Sequence, residues 1–359
     1  MNTLDLTMWI EIFLIVVTFM VFFFKLTKNI GRFGSLGDIL VQGTVSPGFE
    51  TVKEMFEENF RQGREKNAQL CVYVKEKKVV DLWGSSTGDR SYNGDTLVNV
   101  FSSTKSITAI VVAKMVEKGF INYGSKIGQY WPEFGQNGKE GVTVADLMRH
   151  EAGLASFDTS FDLEDLLTHN IKKNKVGEVV ERQKQWFKEG KVREYHAISR
   201  GWIANELVRR VDPHGRTIGQ ILRKEICEPL GARAFIGLTN QELTNSCDLD
   251  SMKTSFVLLQ SLRPKALGRG VDPNFLQLMM MAIYMMIHKE ETRKDGAPSI
   301  NGWSSMGDTV KLCNNPLYRK GESPSANGNC CARGKLFIIF LFGNMCILWF
   351  NSRQKSRRL

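Results

Sequence analysis

"VNVFSSTKSITAIVVAKMVEKGFI", residues 98–121, decides how the rest of this 359-residue chain is read. From Thr104 onward, Ile107, Ile110, Val111 and Met115 recur at helical spacing, and Gly119 is a C-terminal stop. Ser102 and Lys105 stand three residues apart at the opening of this helix, on one face and about one turn from each other. A serine hydroxyl is a weak nucleophile at neutral pH until a nearby base removes its proton. A lysine can be that base only when burial or a neighbouring cation lowers its pKa. Val98, Val100, Phe101, Ile107 and Ile110 supply apolar surroundings. The partial positive charge of a helix N-terminus favours an alkoxide and disfavours an ammonium. The same tetrad also reads as a plain helix start, with Ser102 or Ser103 as cap and Lys105 in solvent. Ser-x-x-Lys occurs a second time at Ser352/Lys355, in a basic tail, so its surroundings must decide.

Outward from this helix, "QLCVYV" (69–74) and "VVDLW" (79–83) are β-rich runs separated by Lys75, Glu76, Lys77 and Lys78, which predicts a hairpin with a four-residue loop. Phe49 to Phe60 carries Val52, Met55, Phe56 and Phe60 at helical spacing. "VTVADLMRH" (142–150), with Thr143 as N-cap, and "GWIANELVRRV" (201–211) read as further helices. "FLQLMMMAIYMMI" (275–287) reads as a Met-rich core helix. A hairpin followed by many helices predicts an α+β fold, an antiparallel sheet flanked by helices with an all-α subdomain.

The net charge of +10 raises nucleic acid as a partner, but Arg353, Lys355, Arg357 and Arg358 concentrate four charges in the tail. No basic stripe is interleaved with aromatics, so nucleic-acid binding is not expected. Seven cysteines, at positions 71, 227, 247, 313, 330, 331 and 346, include no CxxC pair, which indicates neither a zinc site nor a disulfide framework. No cofactor is implied. Met8 to Phe24 is apolar except for Glu11 and, at ~1.5 Å per residue, would span roughly 25 Å. With Asp5 and Glu11 before Phe24 and Lys25, Lys28 and Arg32 after it, the segment reads as an N-terminal membrane anchor with the following domain on the cytosolic side. Gly31, Gly34, Gly37 and Gly43 then read as a linker. "LFIIFLFGNMCILWF" (336–350) could be a buried element, a re-entrant piece or a poor span. The organisation expected is therefore 1–28 anchor and flank, 29–45 linker, 46–335 catalytic domain, and 336–359 apolar segment and basic tail.

The order of motifs carries a resemblance. Residues 96–121 together with "IGQYWPEFGQNGKEGVTVADLMRHEAGL" (127–154) resemble the serine hydrolases related to class C β-lactamases, penicillin-binding proteins and their esterase relatives. The likeness is greatest to animal β-lactamase-domain proteins. "VKEKKVVDLWGSS" (74–86) looks like the first hairpin of that family, "HEAGL" (150–154) like the turn after its next helix, and "EYHAISRGWIANELVRRVD" (194–212) like its second catalytic motif. "PSANG" (324–328) with Ala332 and Arg333 resembles a later stretch, so the likeness runs from about residue 40 to 335. It implies a β-lactamase/transpeptidase-like fold in which Ser102 is acylated, Lys105 accepts its proton, and Tyr195 moves that proton to the leaving group. The substrate class implied is a small ester or peptide-like amide, with no metal. Ala197 departs from the Tyr-x-Asn or Tyr-x-Ser motif, and His196 and His150 read as structural. No Lys-Thr-Gly or His-x-Gly strand is found at the right place: "MKTSF" (252–256) has Ser255 for the glycine, and "PHGR" (213–216) has the wrong spacing. The closing strands are expected to be missing, which would leave a site walled on one side. A catalytically impaired, membrane-bound binding protein is the alternative, and the sequence says nothing of oligomeric state.

Overall fold

The computed structural model describes residues 11, 13–19, 22, 37–74, 77–159, 161–187, 193–247, 302–304, 337–342 and 345–350. The main sheet begins with β1, Leu40–Val45; helix α1, Glu50–Arg61, follows, and the chain returns in β2, Asn67–Val74, and β3, Lys77–Ser85. Both β1 and β2 pair antiparallel with β3, so the expected hairpin forms, with only residues 75 and 76 between its strands. Phe56 and Phe60 of α1 are buried against Leu70, Val72, Val80 and Leu82. Burying each such ring contributes about 1.5–3 kcal/mol.

The linker expected over 29–45 ends earlier, because 40–45 is β1. Its glycine is a strand residue: Gly43 has φ 108°, and a Cβ there would sit 2.0 Å from the Asp81 carbonyl oxygen. Only glycine lets β1 approach β3 this closely.

Next come β4, Val98–Asn99, a 3₁₀ turn at Phe101–Ser103, and α2, Thr104–Glu117. Helices α3, Val144–Met148, α4, Lys175–Arg182, and α5, Ser199–Val211, follow, then strands β5, Ala234–Ile236, and β6, Gly302–Ser304. A second, three-stranded sheet has the order β4-β6-β5. Helix α2 is the axis of the core, where Ile107, Val111 and Met115 meet Ile203 and Leu207 of α5 and Trp131, Phe134 and Leu147. The face expected from sequence is buried, and so are Thr104, Lys105, Thr108 and Val112. Protein therefore surrounds the first turns of this helix, and that is what takes Lys105 out of water. Thr143 caps α3 in a reciprocal capping box with Asp146.

The apolar segment 336–350 is neither a span nor a stray element. It forms β7, Phe337–Phe342, and β8, Met345–Phe350, on either side of Gly343 and Asn344. β7 pairs antiparallel with β2, Leu70 opposite Phe340, and the sheet order becomes β1-β3-β2-β7-β8. This corrects the expectation of missing closing strands, because the edge of β2 is covered. Gly-Asn is a pairing that favours two-residue hairpin turns, and it is the signal that marks the segment as two strands.

At the N-terminal end, Glu11, residues 13–19 and Phe22 are helical and exposed. Among the described residues no helix is long and apolar enough to cross a membrane. The Met-rich run 275–287 and the "PSANG" stretch lie outside the described residues.

Candidate active site

The turn that carries Ser102 is held by its neighbours on both sides. Phe101, with φ 42°, is in the left-handed region, which costs a bulky residue about 1–3 kcal/mol. Its N–H donates to Asn99 Oδ1 at 2.7 Å, and Val100 N–H donates to the Gly302 carbonyl at 2.9 Å. Gly302 N–H in turn donates to Thr104 Oγ1 at 2.8 Å. A Cβ on residue 302 would lie 2.5 Å from that oxygen, so strand β6 clamps the turn only because it carries glycine there. No local motif in the sequence marks Asn99, Thr104 or Gly302 as part of the site, because nothing near residue 302 ties it to residue 104.

Neither serine caps the helix through its side chain, and Lys105 is only 6% exposed, so the plain helix-start reading fails. Lys105 Nζ lies 3.3 Å from Ser102 Oγ and donates to the Ala197 carbonyl at 2.6 Å. Tyr195 comes from the segment that leads into α5, and its hydroxyl donates to Ser102 Oγ at 2.8 Å. Lys105 Nζ also stands 5.0 Å from the centre of the Tyr195 ring. The structure thus brings Ser102, Lys105 and Tyr195 together, with Ser102 and Tyr195 open to solvent and Lys105 beneath them. Burial, aided by the nearby Arg200 guanidinium, lowers the Lys105 pKa to about 8. Near neutral pH an appreciable share of it is free amine, able to accept a proton.

The missing hydrogen-bonding side chain at residue 197 has a main-chain replacement. Ala197 offers Lys105 its carbonyl oxygen, an acceptor that every residue type carries and no motif records.

His196 is fully buried and its ring nitrogens are both committed. Nε2 accepts from Leu154 N–H at 3.0 Å, which puts the ring proton on Nδ1, 2.6 Å from the Glu194 carbonyl. Burial also pushes its pKa down. A histidine so occupied ties two loops and has no lone pair left for proton transfer. His150 has φ 66°, and its Nδ1 accepts from His196 N–H at 3.0 Å. Strand β8 runs beside the Phe101–Ser103 turn, with Cα atoms of the two within 8 Å. A strand therefore lies along the turn that carries Ser102.

An antiparallel sheet backed by α1, with a serine at the mouth of a buried helix whose lysine lies one turn on, is the architecture of the β-lactamase/transpeptidase-like serine hydrolases. The chain belongs to the beta-lactamase family, whose model matches residues 52–242. The esterase/beta-lactamase LipL of Mycobacterium tuberculosis (strain ATCC 25618 / H37Rv) is 34% identical over 194 residues, which cover 53% of this chain and 43% of that protein. The match thus spans less than half of that relative. Among solved structures, EstA from Arthrobacter nitroguajacolicus Rue61a aligns with a TM-score of 0.61 at 28% identity, covering 76% of this chain and 69% of EstA. A family VIII carboxylesterase aligns at 0.58 and 27% identity, over 74% and 68% of the two chains. A penicillin-binding protein homolog from Caulobacter crescentus aligns at 0.61 and 25%, over 86% and 83%.

Proposed function

We propose that this chain is an esterase-type serine hydrolase acting by acyl transfer through Ser102. The observation that carries the reading is the meeting of two proton-handling groups, Lys105 and Tyr195, on one solvent-open hydroxyl oxygen. In the first half-reaction Ser102 Oγ attacks the ester carbonyl as its proton passes to the free amine of Lys105. The tetrahedral intermediate collapses, the C–O bond to the alcohol breaks, and Tyr195 hands its proton to the departing oxygen and takes one back from the Lys105 ammonium, which returns both groups to their starting forms. Water then repeats the sequence on the Ser102 acyl ester and releases the carboxylic acid. An ester is favoured over an amide because one structural relative is named a carboxylesterase and LipL is named an esterase/beta-lactamase. The open position of Ser102 suits a small ester that needs no deep cavity.

The test is hydrolysis of p-nitrophenyl esters of increasing acyl length beside an anilide of the same acid and a chromogenic β-lactam. Ester turnover with slower amide and lactam turnover is expected. No turnover of any of the three, with no covalent labelling by a fluorophosphonate, would leave the binding-protein alternative standing.

Lipid association of the N-terminal segment belongs to the same proposal. Phe13, Leu14, Ile15, Phe19 and Phe22 are helical and between 56% and 68% exposed, and Lys25, Lys28 and Arg32 follow them in sequence. That order of apolar and basic residues suits an anionic bilayer surface. The full chain is expected to float with phosphatidylserine-containing vesicles and a chain lacking residues 1–28 to stay behind. Equal flotation of both would refute it.

A further inference from the structure

We propose that His150 is a positioning residue, whose ring and backbone hold Tyr195 and the Ala197 carbonyl in register with Ser102 and Lys105. The proposal rests on the reading of Ser102 as nucleophile. The segment it acts on has no regular secondary structure between Arg193 and the start of α5 at Ser199. Such a segment needs external contacts to hold a hydroxyl within hydrogen-bond reach of another side chain.

His150 supplies contacts to three consecutive residues of that segment. Its carbonyl accepts from Glu194 N–H at 3.0 Å. Its ring centre lies 5.1 Å from that of Tyr195, tilted by 39°. Its Nδ1 accepts from His196 N–H at 3.0 Å, and its ring packs 5.6 Å from that of His196. From this stretch come the two distances that define the site, 2.8 Å from the hydroxyl of Tyr195, within it, to Ser102 Oγ and 2.6 Å from Lys105 Nζ to the oxygen of Ala197, immediately beyond it.

The grip works only with a neutral imidazole, since a protonated ring carries N–H on both nitrogens and cannot accept from His196. The surroundings enforce neutrality. Arg200 Nη1 lies 3.5 Å from Nε2, and Lys105 and Arg193 add further positive charge nearby. Burial first, and then these cations, take the His150 pKa down to about 3. Burial and the shared Arg200 guanidinium therefore favour both the free amine of Lys105 and the accepting form of His150.

The backbone of His150 separates this role from simple packing. At φ 66° a glycine or asparagine fits at least as well as histidine. His150→Gly thus keeps the turn and removes the ring, while His150→Asn keeps the turn and returns an oxygen near the place of Nδ1. In the full chain, His150→Gly is expected to lower kcat for the ester about 10²-fold, the scale of a misplacement near 1 Å, with KM changed less than about threefold. His150→Asn is expected to recover at least about tenfold of that loss. Amide hydrogen exchange at His196 should accelerate in His150→Gly and slow again in His150→Asn. Native kcat in His150→Gly, or unchanged exchange at His196, overturns the proposal. The exchange measurement decides even if the native chain fails to hydrolyse esters, an outcome that would refute the proposed function alone.

Discussion

Ser102→Ala is expected to abolish covalent labelling by a fluorophosphonate and to lower kcat for a p-nitrophenyl ester by on the order of 10⁴–10⁶, the range seen when a nucleophile is removed. The variant should fold, because Ser102 is exposed and its side chain does not cap α2. What it removes is the oxygen on which Lys105 and Tyr195 converge. Ser352→Ala is the matched control: it breaks the other Ser-x-x-Lys and should leave labelling intact. Mass spectrometry of the labelled peptide reads both. Labelling that persists in Ser102→Ala and disappears in Ser352→Ala would mean that the buried lysine of α2 marks the wrong serine.

The second large effect concerns Lys105. If its free amine takes the Ser102 proton, kcat/KM should rise about tenfold per pH unit on the acid side and level off above about 8. Lys105→Arg places a permanent cation in the same buried position and should lower kcat by about 10²–10⁴ at every pH. Lys105→Met should be as inactive, yet fold with a thermal midpoint at pH 7 no lower than native. The sign follows from linkage. The folded pKa lies below the unfolded value, so between about 8 and 10.5 the unfolded chain binds more protons than the folded one. Stability conferred on the native chain therefore rises with pH through that window, and the cost of the buried ammonium is fully present below it. Arg200→Met removes a cation that helps depress the Lys105 pKa, so the acid limb should move to higher pH. Lys105→Arg retaining a tenth of native activity would show that Lys105 is not the base, and a pH profile that stays in place in Arg200→Met would show that burial alone lowers its pKa.

Much of this was legible in the chain, and the reason is locality. The Ser102–Lys105 pair is set by helical spacing, and α2 is marked by its own apolar repeat and by Gly119. The β2–β3 hairpin and the Thr143 cap are likewise written within a dozen residues of themselves. Tyr195, far along the chain from Ser102, was reachable only through family resemblance, because no local pattern distinguishes it from a structural tyrosine.

The amino-acid sequence by itself determined the locally marked elements, α2, the β2–β3 hairpin and the Thr143 cap, and which side chains are able to do the chemistry, since propensity, periodicity and side-chain type are properties of short stretches. Tertiary structure alone decided the environment of those side chains. The buried position of Lys105, and with it a usable amine, depends on helices packed around α2 from distant parts of the chain. The Ala197 carbonyl, the His150 ring, and Gly302 with its hydrogen bond to Thr104 act through main-chain atoms or across 46 to 198 residues, where sequence spacing carries no signal. The segment 336–350 makes the same point. Its apolar run fits a core strand, a re-entrant piece or a short span equally well, and the open hydrogen-bonding edge of β2 made it two strands.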